Sequence, residues 1–465
     1  MSNADFLETV LINTITAEKI QGHSVCVALS GGCDSVTLLS IFSSIAKKYD
    51  INISALHVNH QLNTKSDDWE SFCRHTSKTL NVNFIAKKVK VDVGDGLGIE
   101  AAARQARYKI FSEQSCQSIF LGHHIDDQIE TFFLQLLRGA GARGLSSMPI
   151  SRMPWGKNGP KIIRPWLQIK RELILDYARQ NKITWVEDDS NHDESLDRNY
   201  LRRQILPKVH KKYPDYRPVI ARSIKNLADS QALNQELARI DMKAIGDKKP
   251  GLNLIYLKQL NCLRVSNLIR YLIFDYSGQF PSKAFLDEII RQIFEAREDA
   301  QISLPFKHFI LRRYRGRLFL CNGESRASSN FMRLWRGQKK IKLPEGNGFL
   351  VFKRNMQQGL KLEKLGKKHL KIKYRSGGEK MYVQNSSNRR SLKKIFQETG
   401  VPPWMRADIP LIFLGDELIW MPQTGLSKKF AARRGEPALS FHWTRHESKL
   451  KAFYLMKKGD DEWFD

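Results

Sequence analysis

The chain has 465 residues, 42% of them hydrophobic and 27% charged, which is too long for a single small module and fits two or three domains of an ordinary soluble protein. No stretch reaches the ~18 uninterrupted apolar residues of a membrane helix, and the first residues lack a basic lead into a short greasy run, so a cytoplasmic address without membrane contact is expected. Lys and Arg outnumber Asp and Glu by 76 to 48, a net +28, and from Arg326 to Asp465 there are 30 basic and 13 acidic residues, placing +17 of that excess in the tail. Such a field draws polyanions through counterion release, which makes nucleic acid the leading partner. The six cysteines are scattered without a CxxC pair, which speaks against a disulfide framework or a structural zinc site.

In chain order, SVCVAL (24–29) reads as a buried strand and VTLLSIFSSIAKK (36–48) as a helix. INISALHV and VNFIAKKVKV are further strands, IEAAARQARYKIFSEQ a helix, SIFLGH a strand, and DDQIETFFLQLLR a helix whose apolar set is Ile129, Phe132, Phe133, Leu136 and Leu137. Strand and helix in alternation imply a parallel sheet covered on both faces, with ligands at the carboxyl ends of its strands. From Asp215 to Gly246 the pattern is helical and stays so through Arg297. The remainder, after the linker-like NGESRASSN, is richer in short strands, turns and lysines. Three domains are expected: 1–215 catalytic, 216–327 helical and RNA-binding, and 328–465 a small basic α+β domain.

The sharpest local feature is the loop between the first strand and helix: Ser30, Gly31, Gly32, Cys33, Asp34 and Ser35. Two glycines permit a tight turn and close approach of an anion, and the helix amino terminus aims N–H groups at it. Asp34 is badly placed for phosphate unless a cation intervenes, which argues for Mg2+. A plain glycine turn capping a helix is the simple alternative. No GxxxxGK[ST] is present, so the loop is not of the Walker type. The string resembles the SGGxDS pyrophosphate loop of ATP pyrophosphatases, which implies ATP as the nucleotide.

Further along, Glu100, Arg104 and Arg107 share one helix face, where guanidinium can grip phosphate oxygens or merely pair with the glutamate. Asp127 and Glu130 neighbour each other in the first turn after a strand, with Asp126 beside them. His57 and His60 sit at another strand end, where they can line a nucleotide pocket or serve local packing, and the adjacent His123 and His124 suit nucleotide contact or packing better than zinc. In the tail, Arg389, Arg390, Lys393, Lys394 and Arg406 lie among Phe396 and Trp404, a mixture suited to RNA phosphates and bases, although both aromatics also suit a small domain's core.

SGGCDS, HVNHQL, EAAARQARY, GHHIDDQIET, RGAGARGL, IIRPWL, EDDSN and RNYLR occur in the order found in tRNA(Ile)-lysidine synthetases, and the tail from YRSGGEKM to MPQTGL is also similar to that family. The resemblance implies a PP-loop ATPase domain, a helical domain and a small α+β carboxyl-terminal domain. It also implies ligation of free L-lysine to C2 of the wobble cytidine of an isoleucine tRNA with a CAU anticodon, by way of an adenylated cytidine, with ATP and Mg2+ and with no protein partner required. By the same resemblance Ser30 to Ser35 hold pyrophosphate, Asp34 binds the metal and His57 lines the nucleotide site. Arg104 faces the α-phosphate, Asp127 and Glu130 hold the lysine ammonium and take its proton, with either of the two as the base, and the five tail cations bind tRNA. One departure stands out: Asn63 replaces an arginine frequent in the family. A tRNA sulfurtransferase of the same superfamily, or a nonenzymatic RNA-binding protein, are the rival readings.

Overall fold

The computed structural model describes residues 3–91, 98–153, 159–187, 193–245, 251–278, 280–297, 302–307, 309–322, 331–344, 347–366, 368–383, 388–422 and 424–444. The chain divides into two compact units, Met1–Leu233 and Asn234–Asp465. That division falls within one 30-residue helix, Tyr216–Ile245. The second expected boundary, near Ser328, lies outside the described residues, as do residues 188–191 of the EDDSN motif. No helix among the described residues is long and apolar enough to cross a membrane.

Unit 1 is an open α/β sheet. Its strands are β1 (Ser24–Ala28), β2 (Asn52–Asn59), β3 (Asn83–Lys88), β4 (Ser118–Phe120), β5 (Ser151–Arg152) and β6 (Lys161–Ile163), in spatial order β3-β2-β1-β4-β6-β5. All pairings are parallel except β5 with β6. Helices α1 (Asn3–Ala17), α2 (Cys33–Ala46), α3 (Ser66–Thr79), α4 (Ile99–Ser112) and α5 (Ile125–Leu137) intervene. Alternation along β1 divides its side chains between two cores. Val25 and Val27 join Leu11, Phe42 and Trp166 on one face, while Cys26 joins Leu56, Phe111 and Ile119 on the other. The chain steps from β1 outward through β2 to β3 and then returns to place β4 on the other side of β1. The crevice between the carboxyl ends of β1 and β4 is therefore the topological switch point, where such sheets bind ligands.

On α5 the expected apolar face is only partly used. Ile129 is fully buried, but Leu136 and Leu137 at the end of the helix are exposed. The 3.6-residue period predicts which side chains share a face, not how far along the helix the core extends.

In unit 2, helices Leu254–Gln259, Cys262–Ser277 and Lys283–Phe294 share a core with strands Leu252–Asn253, Ser303–Phe306, Phe309–Tyr314 and Arg317–Asn322, which form an antiparallel sheet. The region is thus helical with a sheet that the helical periodicity did not indicate. Beyond it, short strands form five-stranded and four-stranded sheets around one core in which Phe396 is fully buried. Trp404 lies edge-on to Tyr314 and Phe319, with the Arg312 guanidinium 5.1 Å from its ring. Both aromatics serve packing, as small domains require.

Candidate active site

The phosphate loop is organised by its two serines. Ser35 Oγ accepts from the Ser30 N–H at 3.1 Å, lies 3.1 Å from Ser30 Oγ and donates to the Gly32 carbonyl at 2.9 Å, closing the turn on itself. Gly31 sits at φ +91°, and a Cβ there would lie 2.9 Å from Val186 Cγ2, so glycine is required twice over. Its carbonyl accepts from the Val186 N–H at 2.9 Å. Gly32 caps α2, whose first turn faces the crevice. Cys33 is buried, its thiol pushed up by burial and by neighbouring Asp34, and it packs inward beside Thr37.

Across the crevice, the backbone after β4 presses on this loop. A Cβ on Gly122 would stand 2.9 Å from the Asp34 carbonyl oxygen and 3.0 Å from its carbon, backbone that has nowhere to retreat. Gly122→Ala is therefore expected to cost about 2 kcal/mol of stability through overpacking and to widen the crevice, seen as a lower Tm together with a larger fractional loss of pyrophosphate release.

The Asp34 carboxylate points to the same place. Its Oδ2 is 3.7 Å from His124 Nε2 and 3.8 Å from Arg171 Nε, neither close enough for a good hydrogen bond, and its buried Oδ1 has no partner. Burial raises its carboxyl above the ordinary range, opposed by His124 and Arg171 and reinforced by Asp127. An orphaned buried carboxylate oxygen beside a phosphate loop fits Mg2+, which takes one or two carboxylates and completes its shell with phosphates and water.

Asp127 sits in the first turn of α5, where its Oδ2 accepts the His124 N–H at 3.0 Å and lies 3.5 Å from His124 Nε2. Burial works against its ionisation, but His124, His123, Arg198 and that backbone N–H outweigh it and bring the carboxyl down to about 2. Glu130, one turn on, is fully buried: Arg198 Nε donates to Oε2 at 2.9 Å, and Arg202 donates to Oε1 at 2.6 Å and to Oε2 at 3.0 Å. Arg198 also reaches Glu100 at 3.6 Å, so Glu100 pairs across the site rather than along its own helix. Asp126 is held by Arg217 at 2.6 Å.

Arg104 is exposed and lies against Tyr108, 4.9 Å from the ring, with a 3.3 Å bond to the phenol oxygen. Arg107 donates to His60 Nε2 at 3.4 Å, an imidazole that burial and Arg107 itself bring down to about 4. His57 is buried with Nδ1 2.8 Å from the Leu29 carbonyl, tying β2 to the strand end before the phosphate loop. Asn63 accepts the Lys65 N–H at 2.9 Å and shapes the turn into α3.

In unit 2, Lys393 and Lys394 are exposed, Arg389 lies 3.3 Å from Glu417, and Arg390 pairs with Glu398. Arg406 is spent internally, donating to the Val401 carbonyl at 2.9 Å and to Tyr314 Oη at 3.4 Å.

The structure thus brings Asp34, Asp127 and Glu130 into one charged network and places Arg104 on the Tyr108 ring. Arg198 and Arg202, two of its central members, have no role in the sequence reading. Their signal was the i, i+4 spacing within RNYLR, where like charges at that spacing need a shared carboxylate.

A glycine turn at the switch point of a parallel sheet, with a charged rim on the adjacent strand, defines a nucleotide-binding α/β protein of the PP-loop class. The family profile of a PP-loop domain matches residues 7–209, that of a TilS substrate binding domain 252–319, and that of a TilS substrate C-terminal domain 370–443. The tRNA(Ile)-lysidine synthase of Nitrosomonas europaea is 35% identical over 440 residues, covering 94% of this chain and 95% of its own. That of Coxiella burnetii is 34% identical over 427 residues, covering 91% and 93%, and that of Proteus mirabilis 31% over 437 residues, covering 93% and 98%. The chain belongs to the tRNA(Ile)-lysidine synthase family.

Proposed function

We propose that this chain joins free L-lysine to C2 of the wobble cytidine in an isoleucine tRNA with a CAU anticodon, at the expense of ATP. In the first step the cytidine C2 oxygen attacks the α-phosphorus and the bond to pyrophosphate breaks. In the second, the lysine ε-amine, having lost a proton, attacks C2, and the C2–O bond breaks to release AMP.

The observation that carries this reading is the shared crevice. The phosphate loop and Asp127 meet across the single imidazole of His124, so a nucleotide and an ammonium group can occupy adjacent places. Ser30, Ser35 and the backbone of Gly31 to Asp34 bind the departing pyrophosphate. Asp34 would hold Mg2+, which supplies positive charge where the phosphates gain negative charge. His57 positions the loop from below through the Leu29 carbonyl, and Arg104, exposed at the rim, meets the α-phosphate. Asp127, ionised throughout the physiological range, anchors the lysine ammonium, and the proton that the amine gives up passes to this carboxylate or to solvent. Glu130 holds Arg198 and Arg202 in place and acts as a positioning residue. Lys393, Lys394 and Arg389 bind tRNA phosphates, with Arg390 in support, whereas Arg406 contributes by bracing the tail.

Sulfur transfer finds no support at the crevice. Cys33, the one cysteine in the phosphate loop, is turned inward with a raised thiol, and Cys116 precedes β4 at the opposite end of that strand. Incubation with ATP, the CAU-anticodon tRNA and labelled lysine is expected to place label in RNA and to release AMP and pyrophosphate. Label entering only from a sulfur donor, or ADP and orthophosphate as products, would refute the ligase.

A further inference from the structure

Beyond the carboxylate rim lie Arg104, Arg152 and Arg164, gathered around Tyr108. Arg164 follows β6 directly and is 1% exposed, yet it is paired only with neutral oxygens: Nη1 donates to the Pro149 carbonyl at 3.0 Å and Nη2 to Tyr108 Oη at 3.0 Å, while Nε is buried without a partner. Arg152 on β5 is exposed and lies 5.2 Å from the Tyr108 ring, which also carries Arg104. Among the described residues no carboxylate forms an ion pair with Arg104, Arg152 or Arg164. Burial lowers Arg164, and Arg152 and Arg104 lower it further against the raising effect of Tyr108, while burial and Arg152 bring Arg143 to about 10. Burial alone would raise the Tyr108 phenol, but the three arginines outweigh it and lower it. Mutual repulsion of this kind costs folding free energy and is relieved by a bound anion.

We propose that Arg152, with Arg104 beside it on the Tyr108 ring, forms a binding site for an RNA phosphodiester next to the nucleotide that reacts, and that buried Arg164 acts as a positioning residue by holding the Tyr108 phenol and adding positive charge beneath it. This deepens the reading above and rests on it for the identity of the RNA. The order along the sheet favours RNA over the triphosphate. The phosphate loop follows β1, the Asp127 rim follows β4, and Arg164 follows β6, about 10 Å from β1 at the usual strand spacing. In-line displacement requires the attacking oxygen to approach the α-phosphorus opposite the leaving pyrophosphate. The RNA must therefore enter from the side away from the phosphate loop, which is where this group stands. Guanidinium suits the task because it binds phosphate in a bidentate manner and stacks on tyrosine at the same time.

The test is anisotropy binding of a CAU anticodon stem-loop RNA over a salt series, with ATP KM measured in parallel. Arg152→Ala, at an exposed position, is expected to weaken RNA binding about tenfold and to reduce the salt slope by about one, with Tm and ATP KM unchanged. Tyr108→Phe keeps the ring and removes the oxygen that orders Arg164, so a smaller loss of RNA affinity is expected. Unchanged RNA affinity and salt slope in Arg152→Ala would overturn the site, and a raised ATP KM with RNA binding intact would reassign it to the triphosphate. Absence of lysine incorporation by the unaltered protein would refute the ligase reading alone, since RNA binding is read without turnover.

Discussion

Asp34→Asn is expected to abolish adenylation while leaving the fold as stable as before or more so. The substitution keeps the shape of the side chain and removes its charge. In the folded chain that charge is penalised: burial raises the carboxyl and Asp127 adds to the effect, while the nearest cations stand too far away to pair with it well. A carboxyl raised by folding destabilises the fold when ionised, and the penalty disappears as pH falls through its folded pKa. Asparagine removes the penalty at every pH, so Tm at neutral pH should hold or rise, and its change on acidification should shrink. Function moves in the opposite direction, because the unpartnered Oδ1 is the donor available to a cation at the phosphates. Loss of such charge stabilisation lowers rates by about 10²–10³ or more, measurable as pyrophosphate release at saturating ATP and tRNA, with a higher Mg2+ requirement. A parallel fall in Tm and rate would identify Asp34 as a structural residue instead.

Glu130→Gln should fail in the contrary way, by weakening the fold around the site. Both carboxylate oxygens are engaged by Arg198 and Arg202, and the side chain has no exposed surface. The amide leaves two guanidinium groups facing each other without their shared anion. Breaking a buried pair costs about 3–5 kcal/mol, and since Arg198 and Arg202 are 25% and 36% exposed, about 2–3 kcal/mol is the reasonable expectation here. For a unit of this size that corresponds to a Tm lower by roughly 5–10 °C. Activity should fall as well, since Arg198 helps to keep Asp127 ionised and Arg202 lies 3.9 Å from it. The double variant Glu130→Gln/Arg202→Gln should recover part of the lost stability, as coupled partners do in a double-mutant cycle. If Glu130 instead touched lysine directly, Glu130→Gln would raise KM for lysine and leave Tm unchanged.

The difference between these two carboxylates separates what sequence and structure each contribute. Period and composition suffice for strands β1 to β4 and helices α2, α4 and α5 of unit 1, for the glycine turn before Asp34, and for a basic tail, because these depend on local backbone freedom and on which side chains share a face, whereas α1 and α3 escape that reading. The collinear motifs extend that to a family. Little that is local distinguishes Asp34 from Glu130, however: both are acids near the starts of helices that follow strands, Asp34 in the first turn and Glu130 in the second. The distinction comes from what long-range packing delivers. The segment carrying Arg198 and Arg202 folds back onto α5 from about 70 residues away and neutralises Glu130, whereas Asp34 receives only an imidazole and an arginine beyond hydrogen-bond reach. The same holds in the tail, where Arg406 and Lys393 are alike as charges in sequence, yet one is consumed by a carbonyl and a phenol and the other is left to solvent. Tertiary structure alone decides which charges are already paired, because pairing depends on distance in space, and a charge's chemistry is whatever its partners leave unused.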